Sequence, residues 1–229
     1  MYLRWLDFIN NNLKLVLGSS SEPRKQLLSD MGLKFDVIPS NFKENLVKTN
    51  PISYVENTCY EKLKSIVNDN KTKDIDVLIT SDCIVTKDNI IYEKADCKNQ
   101  AKEWLLSYSN KELIVYSSFC IAIIKKKPRH NINDLNENKE IKNINYVYDL
   151  IQQTDYCKVT MNYINEDIAN QYINTGEWKN RAGAFAIQLL GKCLVKKTEG
   201  DFYSVIGLPM SKLIHSLEEL LNKNYSKEV

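Results

Sequence analysis

Residues 76–96 read DVLITSDCIVTKDNIIYEKAD, an apolar run that carries into an acid, Asp82, turns apolar again and reaches Lys94. An aspartate at a strand end ordinarily forms a turn or meets solvent. The chemical alternative is a carboxylate that deprotonates water or helps to hold a divalent cation, with Glu44 and Glu61 as candidate companions. Lys94 would then meet phosphate charge. A second segment, LVLGSSSEPRKQLL, reads as strand, serine loop and helix start. The hydroxyls of Ser19 and Ser21, the free N–H groups of a helix N-terminus, and Arg24 and Lys25 in its first turn together suit an anion. The spacing is not that of a P-loop, and a capped helix with basic surface residues has the same appearance. A third pair of segments, TGEWKNRAGAFAIQLLG and EGDFYSVIGLP, sets Arg181, Gln188 and Asp201 between apolar stretches, where they could hydrogen-bond a base or sugar. Their glycines allow close backbone approach or simply tight turns. His130 and His215 stand apart, and neither a Ser-His-Asp arrangement nor a two-histidine metal motif is present.

The elements that must position these residues alternate in type. LKLVLG reads as a buried strand, PRKQLLSDM as a helix with Pro23 in its first turn, serines before it and Gly32 at its stop. FDVIPS is a strand, and NPISYVENTCYEKLKSIVND carries Tyr54, Val55, Cys59, Leu63 and Ile66 at helical spacing. DVLIT is the next strand, with Asp82 at its end, and CIVTKDNIIYE reads as two short strands about a Lys-Asp-Asn turn. A helix in NQAKEWLLSYS and a long buried strand in LIVYSSFCIAII follow. Residues 126–146 are polar and rich in Asn and Lys, and are expected to form an exposed hairpin tip or disordered insertion. Extended structure, a helix ending at Gly176 and an amphipathic C-terminal helix complete an α/β pattern.

The bulk numbers exclude several classes. The chain has 229 residues, 43% of them hydrophobic, and a formal net charge of +2. That size supports a real core, and that charge provides no global field for nucleic acid or a membrane surface. The basic cluster from Lys125 to Arg129 is read as a solvated loop. No run approaches the roughly 18 apolar residues of a membrane span, and the N-terminal stretch lacks the features of a signal peptide. Six scattered cysteines, several within apolar runs, fit reduced buried thiols in a cytoplasmic compartment rather than a disulfide framework.

Taken in order, LVLGSSSEPRKQLL, FDVIPS, YEKLKSI, LITSDCIV, IIYEKA, TGEWKNRAGAFAIQLLG and EGDFYSVIGLP resemble the Maf family of nucleoside triphosphate pyrophosphatases, from about Leu13 to Leu217. The resemblance implies a single Maf-like domain over residues 1–229: a mixed, strongly twisted central sheet flanked by helices, with two lobes around a nucleotide cleft, as in inosine triphosphate pyrophosphatases. It implies hydrolysis of a nucleoside triphosphate to the monophosphate and pyrophosphate with Mg²⁺ or Mn²⁺, and a homodimer as the one expected protein partner. By that resemblance Asp82 is the general base. Ser19, Ser21, Arg24, Lys25, Lys62 and Lys94 bind the triphosphate, and Glu44 with Asp82 holds the metal. Pro23, Cys83 and Gln188 fall on positions of base choice. Gln188 matches the pyrimidine-preferring branch, whereas the branch acting on 7-methyl-GTP usually has an acid there. Glu22 stands where the family has proline, Cys83 follows Asp82 in place of threonine, and Glu93-Lys94-Ala95 replaces Gly-Lys-Pro. The resemblance leans towards UTP, dTTP or modified nucleotides, and the alternatives are a 7-methyl-GTP-type pyrophosphatase and a catalytically weak nucleotide-binding regulator.

Overall fold

The computed structural model describes residues 2–48, 50–69, 74–126 and 146–226. In chain order these form α1 (Tyr2–Asn12), β1 (Leu15–Leu17), α2 (Glu22–Asp30), β2 (Asp36–Val37), α3 (Pro51–Val67), β3 (Val77–Lys87), β4 (Ile90–Tyr92), α4 (Lys98–Ser107) and β5 (Glu112–Lys126). β6 (Tyr146–Met161), α5 (Glu166–Thr175), β7 (Val195–Gly200), α6 (Phe202–Ile206) and α7 (Met210–Tyr225) follow. Among the described residues, seven strands make one sheet in the order β2-β1-β3-β5-β6-β7, with β4 paired to β3 off that path. β1 runs parallel to β2 and β3, and the remaining pairs are antiparallel, so the sheet is mixed as expected. Of the expected insertion, residues 127–145 lie outside the described residues, and so does His130.

Strand parity sorts the core. Val77 and Ile79 of β3, with Phe119, Ile121 and Ile123 of β5, pack on Trp5 and Ile9 of α1 and on the leucines of α7. Leu78, Cys120 and Ala122, one residue out of phase, pack on Cys59, Leu63 and Ile66 of α3. Alternate side chains of a strand leave opposite faces, so a single strand supplies both layers. The α7 leucines Leu213, Leu217, Leu220 and Leu221 fall on one helical stripe. At roughly 1.5–3 kcal/mol for each buried side chain, they suffice to dock an otherwise polar helix. A separate cluster joins Val85, Val115 and Val159 to Ala101 and Leu105 of α4 and to Tyr172 and Ile173 of α5. These clusters are the cores of two lobes.

β3 differs from its sequence expectation. DVLIT and CIVTK are one continuous strand, paired with β5 from Val77↔Ile123 to Thr86↔Ile114, so Asp82 sits mid-strand and not at a strand end. The polar run Thr80-Ser81-Asp82 does not interrupt it, because the ladder bonds backbone groups and each of the three side chains finds its own partner. Thr80 Oγ1 donates to Cys59 O, Ser81 Oγ to Gly207 O, and Asp82 accepts from Lys62. The turn into β4 is the two-residue loop Asp88-Asn89, both at positive φ (51° and 64°), which suits a tight hairpin. Among the described residues no helix is long and apolar enough to cross a membrane.

Candidate active site

The alternation that sorts the core also builds the site. Leu78, Thr80 and Asp82 lie on the α3 side of β3, whereas Ser81 and Cys83 lie on the side of α6. α3 starts with Pro51 in its first turn and the Asn50 side chain accepting from Ser53 N at 3.1 Å. Its buried stripe runs Tyr54, Val55, Thr58, Cys59, Lys62, Leu63 and Ile66. A lysine within such a stripe needs a counter-charge, since an unpaired buried ammonium is strongly disfavoured. Lys62 has two: its Nζ lies 2.6 Å from Asp82 Oδ1 and 2.7 Å from Glu44 Oε1.

The three charges grade from inside to outside. The side chains of Asp82 and Lys62 are 9% and 11% exposed, that of Glu44 32%. Burial therefore dominates at Asp82 and raises its pKa above the ordinary value, against the pull of Lys62 and Arg24. At Glu44 burial also pushes upward, but there Lys62 wins, and the carboxyl titrates below its ordinary value. Lys62 is raised: its own burial acts against charge, but the two carboxylates prevail over it. The outer oxygens, Asp82 Oδ2 and Glu44 Oε2, accept no hydrogen bond from the described residues.

This triad lies in a cleft of about 480 Å³ between the two lobes, a size that accommodates a nucleotide-scale ligand. Ser19, Ser21, Pro23 and Arg24 line one side, and Lys94, Arg181 and Gln188 line others. Cys83 lines it as well, and its Sγ lies 3.7 Å from Ser204 O. Ser21 occupies the N-cap position of α2 without a side-chain cap bond, so its hydroxyl is not consumed there. Arg24 is buried and largely committed: Nε donates to Gly207 O (2.9 Å), and Nη1 to Ser19 Oγ (3.1 Å) and Ser81 O (3.0 Å). Gly207, at φ 115°, makes this possible, since a Cβ there would stand 3.3 Å from Arg24 Nε.

Three sequence candidates stand elsewhere. Lys25 is not a lining residue and pairs with Glu22 at 2.6 Å, Glu61 pairs with Lys64, and Asp201 caps α6 by accepting from Ser204 N at 2.8 Å. Two further charged residues, to which the sequence assigned no role, line the cleft. Glu93 accepts from Tyr54 OH at 2.5 Å and is ion-paired with Lys48. Lys179 lies in the quoted GEWKNRAGA segment. The one available signal was adjacency to Lys94 and Arg181, and adjacency does not reveal which side chains face a common space.

Among the described residues no group of three His, Cys, Asp or Glu side chains is arranged to hold a metal ion. The outer oxygens Asp82 Oδ2 and Glu44 Oε2 are nevertheless hard donors of the kind that Mg²⁺ or Mn²⁺ takes in ones and twos alongside substrate phosphates. The residues fit such a shared shell, not a cage made by the protein alone.

A family model described as Maf-like protein matches residues 14–220. The chain is 33% identical over 206 residues to a dTTP/UTP pyrophosphatase of Thermoanaerobacter sp., covering 90% of this chain and 96% of that protein. It is 32% identical over 210 residues to a dTTP/UTP pyrophosphatase of Clostridium beijerinckii, covering 91% of this chain and all of that protein (100%). Similarity of 32% over 213 residues extends to a probable bifunctional dTTP/UTP pyrophosphatase/methyltransferase protein of Homo sapiens, of which this chain spans 32%.

Proposed function

The chain belongs to the Maf family, and from that premise we propose that it hydrolyses a nucleoside triphosphate to the monophosphate and pyrophosphate, with UTP and dTTP preferred. The observation that carries this reading is the Glu44–Lys62–Asp82 arrangement in the cleft: a buried carboxylate with one oxygen fixed and the other available. Asp82 Oδ2 takes a proton from water, whose oxygen attacks the α-phosphorus. The α–β bridging bond breaks, pyrophosphate leaves, and the water oxygen stays on the monophosphate. Lys62 fixes the rotamer of Asp82 and opposes the upward push of burial on its pKa, while that net upward shift makes the carboxylate a stronger proton acceptor than an exposed one. Ser19, Ser21 and Lys94 are contributors to triphosphate binding, whereas the bonds of Arg24 support a role in holding the serine loop against β3 and Gly207. A divalent cation held between Asp82, Glu44 and the phosphates would neutralise charge on the transferred group.

Gln188 supports the pyrimidine preference chemically. A neutral amide offers one donor and one acceptor, matching the N3–H and O4 edge of uracil or thymine. A cationic methylated purine would call for an acid instead. Pro23 and Cys83 line the same cleft and act as further determinants of base fit. The unpaired state of all six cysteines supports a reducing, cytoplasm-like compartment.

The test is pyrophosphate release from a panel of canonical and modified triphosphates, with Mg²⁺ and separately with Mn²⁺, alongside Asp82→Asn. Release confined to one or two triphosphates and lost in the variant is expected. Nucleotide binding without release from any of them would overturn the reading in favour of a regulator.

A further inference from the structure

The cations around the cleft fall into two kinds. Arg24 and Lys62 are spent on protein acceptors, and Lys25 is paired outside it. Lys94, Lys179 and Arg181 line the cleft, yet their side chains make no hydrogen bond or ion pair among the described residues. Lys94 acts on Glu44 through space, but none of the three is neutralised by a direct contact, and together they favour the entry of an anion.

The backbone that carries these three is held in place. Lys94 and Ala182 form an antiparallel bridge, and Gly183 N donates to Tyr92 O (3.1 Å) and Glu93 O (2.8 Å). Buried Trp178 and Ala184 anchor the loop on either side of residues 179–182. Gly183, at φ 65°, sits so close to Val85 that a Cβ would come within 2.6 Å of Val85 Cγ2. The loop and the segment after β4 are thereby one stitched wall, with little backbone entropy left to lose when a ligand binds.

We propose that Lys94, Lys179 and Arg181 form the seat of the two terminal phosphates, and that Lys179 and Arg181 bind the departing pyrophosphate. This rests on the pyrophosphatase reading. With the α-phosphorus beside Asp82, the rest of the triphosphate can extend to this wall or to the serine loop. The serine loop offers neutral hydroxyls and N–H groups beside a single guanidinium charge, whose Nε and Nη1 already donate to protein oxygens. The wall offers three free charges, so the more highly charged end of the substrate goes there. When the α–β bond breaks, negative charge grows on the leaving pyrophosphate, and fixed cations at that position act on the transition state as well as on binding.

The experiment compares inhibition by inorganic pyrophosphate with inhibition by the nucleoside monophosphate in wild type, Lys179→Ala, Arg181→Ala and Arg181→Lys. Losing a charge-assisted contact predicts that the pyrophosphate inhibition constant rises about tenfold or more in Arg181→Ala. A smaller rise is expected for exposed Lys179, partial rescue in Arg181→Lys, and no change in monophosphate inhibition throughout. The salt dependence of kcat/KM should flatten in both alanine variants. Unchanged pyrophosphate inhibition, or equal weakening of pyrophosphate and monophosphate, would overturn the proposal. Since Lys179 is exposed, its alanine variant decides the matter even if Arg181→Ala fails to fold. A wild-type protein that releases no pyrophosphate defeats the underlying reading instead, so the two failures are told apart.

Discussion

The floor and the wall of the cleft both carry positive charge, but in opposite states. At the floor Lys62 is 11% exposed and held between two carboxylates. At the wall Lys94 and Lys179 are exposed, Arg181 is partly buried, and all three are unpaired among the described residues. A buried charge must be matched within the protein, because no water is there to match it, and so it is fixed before any ligand arrives. A charge at a wet surface can stay unmatched and is available to a ligand. On the proposed reading, chemistry falls to the matched group and recognition to the unmatched ones.

The largest test of that division is Asp82→Asn. If Asp82 is the base, turnover falls about 10²–10⁴-fold while nucleotide affinity, read by calorimetry, stays within a few fold. A parallel loss of affinity would instead make Asp82 part of the binding surface. Next comes Lys62→Ala, which leaves a buried carboxylate uncompensated and should cost about 3–5 kcal/mol in denaturant unfolding. A cost near that of a surface pair would mean that the floor is not a buried ion pair.

Glu44→Gln should cost less, under about 1 kcal/mol, because its partly exposed carboxylate is screened. The pH dependence gives its sign. The folded-state pKa of Glu44 is lowered, so its contribution is present above the ordinary value of 4.5 and is lost as pH falls through the folded value. Asp82 is raised, so its contribution is present below the ordinary 3.8 and is lost as pH rises through the folded value. In metal-free buffer containing a chelator, the stability gap between wild type and Glu44→Gln should therefore close on acidification. Asp82→Asn should gain on wild type as pH rises. Gaps that move together would show that the two carboxylates are not in different environments.

The smallest effect is expected at Lys25→Ala. Its pairing with Glu22 is an exposed one, worth under about 0.5 kcal/mol, and it lies outside the cleft lining. Melting temperature and KM should both be nearly unchanged. A several-fold rise in KM would place Lys25 with the wall residues and break the distinction between paired and unpaired cations.

Much of this was legible in the residues alone. The 3.6-residue stripe of α3, the alternation of strands and helices, the Asp88-Asn89 hairpin and the stop of α5 at Gly176 all follow from local rules that act over a few neighbours. Asp82 stood out because an acid in an apolar run is a local anomaly, although its place in the middle of β3 depends on pairing with β5, 36 residues away at Ser118. Lys62 was singled out only by the resemblance, and its two counter-charges come from a loop and a strand that periodicity cannot bring together. The different fates of Lys25 and Arg24, adjacent in sequence, were settled by packing: Arg24 turns to three acceptors from the serine loop, β3 and Gly207, whereas Lys25 turns to Glu22. The sequence by itself determined which elements form and which residues are chemically unusual, because propensity and period are short-range properties. Which charges are matched and which stay free was decided by the tertiary structure alone, because burial and long-range contact exist only once the sheet and α3 have come together.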